Sequence, residues 1–518
     1  MSPAMPFDVR TAWPWAISVL LVLLANAVRR PRKYARFPPG PTPLPLIGNA
    51  LDFPRTHLGR EFAEMAKKYG DVVYLNVLGQ DTVVLGSLKA ARDLLDKRSA
   101  NYSDRPTSVM VQLVGYDWLF ALMNYGSRWR QHRRAVHPTM TPDVVPQYQA
   151  FQSDAARNLI RLILQSPGDL GSHIKFTFAA IVMGALYGIE LREPHDKYYH
   201  MVERMGEVGE EILIPGRFPV EAFPVLRYLP SWFPGGGFKK WAADAKRDIS
   251  SIVDYLFEGS KSVITTDASR RPMIHRILGD TPSQESTELE KMCKEVAATM
   301  YVVLSARVSN ATMGAFFVAM ALYPEVQKKA QQELDRVVGA ERLPDFSDRP
   351  SLPYVNAIVK ELLRWHPATP MGVPHRILAD DEYNGHVIPG GATIFVNIWA
   401  IFRDPELYPQ PDEFMPSRFL DTAGNLDVHG RDPTDVVFGF GRRICPGRHF
   451  ADSALFILCA SVLSAFEIGP PVGEDGVPIP FKREAADHCV VSHPKVHQYT
   501  MKPRSVHVDH LVRTANEQ

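Results

Sequence analysis

Phe438-Gly-Phe-Gly-Arg-Arg-Ile-Cys-Pro-Gly447 is the stretch around which the chain is organised. It sets one cysteine, Cys445, in a loop whose glycines, Gly439 and Gly441, allow positive φ and close backbone approach to something flat and bulky. Pro446 suits the first position of a helix, and Gly447–Phe466 carries the broad apolar face that predicts one. Cys445 would then stand just ahead of a helix N-terminus, with Arg442, Arg443 and Arg448 around it. The positive end of a helix and neighbouring arginines both lower a thiol pKa. The resulting thiolate is the form that ligates a soft metal.

A Gly-rich turn around a structural cysteine would account for a lone Cys. The string itself argues otherwise. Phe438, Gly441, Arg443, Cys445 and Gly447 resemble the haem-binding loop of the cytochrome P-450 family of haem-thiolate monooxygenases, whose proximal ligand is a cysteine thiolate. The resemblance implies a mainly α fold with a small β-rich lobe, forming a single large domain. It also implies haem b with its iron held by Cys445, two-electron activation of dioxygen, and insertion of one oxygen atom into a C–H or C=C bond. NADPH would supply the electrons through the flavins of a membrane-bound reductase docking near Arg442 and Arg448.

Composition agrees with one large body. The 518 residues are 45% hydrophobic, ample for a buried core, and no Gly/Ser linker, repeat or low-complexity tract divides them. Lys+Arg at 58 against Asp+Glu at 57 leaves no basic excess to attract nucleic acid. Cys293, Cys445, Cys459 and Cys489 are widely spaced without a CxxC or Cys/His cluster, so neither a disulfide framework nor a zinc site is indicated.

Ala12–Val28 is apolar and Arg29-Arg-Pro-Arg-Lys33 follows at once. About 17 residues is the short limit for spanning a bilayer. A cleaved signal carries its basic residues before the apolar run; here they follow it, which puts the C-terminal side in the cytosol. Residues 1–33 are therefore expected to be a signal-anchor, single-pass in the endoplasmic reticulum membrane. Residues 34–518 form the cytosolic catalytic body behind a proline-rich hinge, Phe37–Pro45, read as a stiff extended spacer like that of microsomal P-450s. The sequons at Asn101 and Asn310 would then never meet the glycosylation machinery.

Other motifs fall where the family would have them. Ser127–Arg134 opens a basic helix with Trp129 and Arg133 on one face; in the family this pair meets the haem propionates. Thr369–Arg376 is expected to be extended because Pro370 and Pro374 forbid helix before them. By resemblance Thr369–Val373 lines the pocket, His375 reaches a propionate with Arg376 as second choice, and Arg443 is another propionate donor. Glu361 and Arg364, followed by Arg418 in Pro416-Ser-Arg-Phe419, match a buried Glu-Arg-Arg network assigned to folding and haem retention. Hairpins are expected at Gly79-Gln80 and at Asn384-Gly385. Arg105–Tyr125 lacks period and corresponds to a hydrophobic loop over the substrate. Phe151–Lys261 reads as proline-broken helices, which the resemblance implies form a lid, and Val490–Ser492 should return to the pocket. The hinge, Tyr102-Ser-Asp-Arg-Pro106 and Tyr323-Pro-Glu-Val-Gln-Lys328 look most like fungal microsomal monooxygenases of secondary metabolism, the O-methylsterigmatocystin oxidoreductase-like kind. Apolar loops point to a terpenoid, polyketide or polycyclic aromatic substrate.

The pattern breaks in Leu289–Ala321, read as one long helix. Family members carry there an acid–threonine pair that relays protons during oxygen activation. This chain has Val303-Leu-Ser-Ala-Arg-Val-Ser-Asn310, with no Asp or Glu near, and alignment from either side disagrees by one residue. Three readings stay open: Ser305 or Ser309, or a substrate hydroxyl, replaces the relay; an exon boundary is misplaced; or haem binds while monooxygenase activity is impaired or of another kind.

Overall fold

The computed structural model describes residues 36–214, 216–263, 270–279, 286–304, 306–473, 477–486, 490–495 and 498–505. The expected anchor and Ser305 lie outside these residues, as do the side chains of residues 304–307.

The helices used below are α1 (Leu58–Tyr69), α2 (Val109–Leu113), α3 (Ser127–Val136), α4 (Gln149–Gln165), α5 (Leu170–Tyr187) and α6 (Lys197–Leu213). They continue with α7 (Pro219–Ala222), α8 (Phe238–Lys261), α9 (Ser286–Leu304), α10 (Ala306–Leu322), α11 (Pro353–Trp365) and α12 (Arg448–Ala465). Helices α4, α5, α10 and α12 pack on one another as the centre of the molecule. In α12 every residue from Ser453 to Leu463 is buried, the mark of a helix apolar all round and therefore central. Helices α5 and α12 are long and apolar enough to cross a membrane, yet 78% and 72% of their apolar windows are buried inside the molecule. They are core helices.

The β-rich lobe is a four-stranded sheet in the order β1 (Val72–Val77), β2 (Gln80–Leu85), β6 (Thr393–Val396), β3 (His375–Arg376). The β2–β6 pairing is parallel and the other two are antiparallel. A separate hairpin, β4 (Asp381–Tyr383) with β5 (His386–Ile388), turns on Asn384-Gly385 as the sequence indicates, both residues at positive φ. The first hairpin turns one residue earlier than expected: Val77 pairs with Gln80, and Leu78 and Gly79 take the positive φ values.

Other differences have local causes. Phe37–Pro45 lies along the lobe: Tyr74 N–H donates to Pro39 O at 2.9 Å, and Phe37 is buried against Tyr74. The period-free 105–125 stretch holds the short helix α2, begun by Ser108, whose hydroxyl caps Val111 N–H. Thr369–Gly372 is a turn, closed by Gly372 N–H on Thr369 O with Gly372 at φ 59°, so only the end of Thr369–Arg376 is strand. Pro446 does not open α12; the helix starts at Arg448 with Gly447 as its cap residue. The long distal stretch is helical on both sides of residue 305, as α9 and α10, in keeping with the expected long helix.

Candidate active site

Cys445 sits at the end of a loop closed on itself, its N–H donating to Phe438 O at 2.8 Å. Gly441 is held at φ 55° because its N–H donates to Asp96 and because a Cβ there would stand 2.1 Å from Leu95 O. That close approach is to protein backbone. Gly439, at φ 79°, faces open space instead.

The electrostatics of the thiol differ from the expectation. Burial pushes the Cys445 thiol up, and the Gly447 N–H, Arg133 and Arg448 only partly draw it back. Desolvation of the thiolate outweighs the helix end and the arginines. Arg442 turns away to the Tyr125 hydroxyl.

Around this loop the fold gathers buried and half-buried cations. Helix α3 presents Trp129 and Arg133 together, with the Arg443 guanidinium 4.4 Å from the Trp129 ring centroid. Arg443 donates only to main-chain oxygens, of Ser103 at 2.7 Å, Phe120 at 3.2 Å and Met123 at 2.6 Å. Arg105 likewise donates to the carbonyls of Ala121, Val373 and Pro374 at 2.7–3.0 Å. Among the described residues, Arg133 and the Trp129 N–H have no hydrogen-bond partner. His375 is buried with Nδ1 2.7 Å from Tyr102 O, so that nitrogen carries the proton.

Among the described residues one carboxylate offsets these groups: buried Asp104 acts on Arg105 and Arg443, and Arg376 also holds it at 2.6 Å. Burial, first of all, lowers Arg443 to about 10. Burial and the charge of Arg443 take Arg105 well below its ordinary value, and burial with Arg105 does the same to His375. The interior is built to hold an anion that the protein itself does not supply.

The structure thus brings together Cys445, Trp129, Arg133, His375 and Arg443, and gives Arg376 to Asp104. Ser309 lies in the first turn of α10. Sequence reasoning overlooked Arg105, whose only signal was its place in Tyr102–Pro106. Beneath the loop Glu361 accepts from Arg364 at 2.7 and 2.8 Å and from Arg418 at 3.2 Å, with Glu361 and Arg364 fully buried. Val490 and Met371 line a cavity of about 620 Å³ between the 105–124 segment and the end of α6.

Comparison with known proteins agrees with this architecture. The family model "Cytochrome P450" matches residues 38–501. The chain is 39% identical to the cytochrome P450 monooxygenase COX2 of Coprinopsis cinerea, over 93% of this chain and 92% of that protein. It is 38% identical to COX1 of the same fungus, over 88% and 89%. To the cytochrome P450 monooxygenase ple1 of Rhodocybe pseudopiperita it is 37% identical, over 93% and 92%. The chain belongs to the cytochrome P450 family, and with it to the oxidoreductases that act as monooxygenases. Membership implies haem iron, a small-molecule substrate and a redox partner.

Proposed function

We propose that Cys445 is the thiolate ligand of haem iron and that the protein oxygenates a hydrophobic small molecule of the terpenoid, polyketide or polycyclic aromatic kind. The observation that carries this reading is the convergence of buried Arg105 and His375 with half-buried Arg133 and Arg443 around half-buried Cys445, where the one offsetting carboxylate among the described residues, Asp104, is shared with Arg376. Two propionates would supply the remaining negative charge, and the Trp129 N–H and Arg133 guanidinium, without partners among the described residues, would donate to them. When bound, the haem supplies the oxygen-activating chemistry of the family. The chain's part is to hold the thiolate, orient the ring through its carboxylates, and exclude water. Ser309, or Ser305, would hold the proton that the absent acid–threonine pair holds in other members.

Residues 1–33 anchor the chain in the endoplasmic reticulum membrane with residues 34–518 in the cytosol. Exposed Val225, Tyr228 and Trp232 give the body a further apolar surface to lay against lipid. A chain beginning at residue 34 is expected to move largely to the soluble fraction. The NADPH-dependent reductase docks near Arg442 and Arg448; charge reversal there that leaves turnover untouched excludes that face. A role in fungal secondary metabolism is supported by the resemblance of the hinge and of Tyr102–Pro106.

The test is the reduced, carbon-monoxide difference spectrum of the expressed protein. A strongly red-shifted Soret band that disappears in Cys445→Ser is expected. An unshifted band in the wild type overturns thiolate ligation. The altered segment 303–310 favours a second reading, impaired oxygen use, which predicts that most NADPH consumed appears as peroxide even with substrate bound.

A further inference from the structure

Two of the walls of the 620 Å³ cavity, the 105–124 segment and the end of α6 with α7, meet beside the exposed residues 223–225, on its solvent side, the mouth. Two ties join these walls. The inner one is the Tyr116 hydroxyl, which donates to Met205 O of α6 at 2.6 Å, with Tyr116 fully buried. The outer one is Glu221 of α7. Its Oε1 accepts from Ser108 Oγ at 2.8 Å and Met110 N–H at 2.7 Å, and its Oε2 accepts from Val109 N–H at 3.3 Å. One carboxylate therefore closes the first turn of α2 from across the cavity mouth.

The two ties are unequal in support. Tyr116 is embedded in an apolar cluster with Val208, Ile212 and Ile249. Helix α7 contributes Val220 as its one buried apolar side chain, with half-buried Phe218 and Leu226 flanking it on the same cluster, while Phe223, Val225 and Tyr228 are 51%, 69% and 77% exposed. Segments with few buried contacts open at lower free energy than the core. The outer end opens first, and what holds it is chiefly the charge-assisted bonds of Glu221.

We propose that Glu221 is a latch across the cavity mouth, setting how fast a bulky hydrophobic ligand enters and leaves. The proposal deepens the reading above, because it takes this cavity as the substrate's route to the haem. Ser108 is the latch's side-chain receiver and Tyr116 its hinge-side anchor. Small ligands pass without release of the latch; ligands wider than the closed mouth need it broken.

The experiment is stopped-flow binding of two haem ligands, imidazole and clotrimazole, to the wild type, Glu221→Gln and Ser108→Ala. Both variants keep side-chain volume near native, so the fold is retained. Losing a hydrogen bond to a charged group predicts that clotrimazole associates and dissociates about tenfold faster in Glu221→Gln, with imidazole rates unchanged. Ser108→Ala should move the same rates by a smaller factor. Clotrimazole rates equal to wild type, or equal acceleration of both ligands, overturn the latch. Hydrogen exchange of the 108–113 amides, faster in Glu221→Gln while those of α11 are unchanged, reads the latch without haem. A wild type lacking the red-shifted carbon-monoxide band would refute the functional reading separately, and unchanged exchange at 108–113 would refute the latch.

Discussion

The guanidinium of Arg443 lies over the Trp129 ring, 4.4 Å from its centroid, so the cysteine loop and α3 are clasped through a cation–π contact. Arg133, one helical turn beyond Trp129, shares that face and has no hydrogen-bond partner among the described residues. The two arginines therefore make opposite predictions. Arg133→Met removes an uncompensated charge, so the haem-free protein should unfold at an unchanged or slightly higher urea concentration. Haem retention should fall by about 1.5–3 kcal/mol, the worth of a hydrogen bond to a charged group. Arg443→Met also loses its three carbonyl partners and should weaken both states. Urea midpoints with and without haem, together with haem transfer to apomyoglobin, measure the pair.

His375 makes the stability of the haem-free protein depend on pH. Burial, with the charges of Arg105 and Arg443, holds its pKa well below the ordinary histidine value. Below about pH 6.5 the unfolded chain binds a proton that the folded chain refuses, so the contribution of neutral His375 is present above that pH and lost as pH falls. The expected slope approaches 1.4 kcal/mol per pH unit between about pH 6 and 5. It should vanish in His375→Asn and flatten when haem is bound, because a carboxylate beside Nε2 favours the imidazolium. Urea unfolding across that range, in both forms, is the measurement.

Glu361 carries two arginines, fully buried Arg364 and half-buried Arg418. Removing one partner of such a group leaves uncompensated charge in the interior, at a cost of about 3–5 kcal/mol. Glu361→Gln should reduce the yield of folded protein sharply while adding no change to the position of the Soret band in what survives. A variant with native stability would show that the backbone carbonyls around Arg364 alone satisfy the arginines.

Much of this was legible in the sequence because it was local. Trp129 and Arg133 share a face by helical spacing, Asn384-Gly385 announces its turn, and the Glu361–Arg364 pair follows from i, i+3 geometry. What escaped depends on burial and distant partners. Nearby arginines do draw the Cys445 thiol down, but no residue string reveals that burial outweighs them. Arg376 alternates with His375 along the strand, yet its carboxylate, Asp104, comes from 272 residues away. Arg105 joins the site by the same long-range folding, through the Val373 and Pro374 carbonyls, and its place in Tyr102–Pro106 is the only local sign of it.

Gly439 and Gly441 look alike in the sequence and should behave differently. Both take positive φ, at 79° and 55°, so any side chain is strained at either. A Cβ on Gly439 meets open space, whereas one on Gly441 would lie 2.1 Å from Leu95 O and 3.2 Å from the Ser99 side chain. Relieving that overlap means moving the loop away from residues 95–99, breaking the Gly441 N–H bond to Asp96 and displacing Cys445 four residues on. Gly439→Ala should cost about 1 kcal/mol, the penalty for a non-glycine residue in the left-handed region, and retain a red-shifted carbon-monoxide band. Gly441→Ala should lose the band or shift it back toward that of a haem without thiolate, since the sulfur no longer stands where the loop placed it. Equal spectra in the two variants would mean that the Leu95 contact yields easily and that the loop, not its support, positions the cysteine.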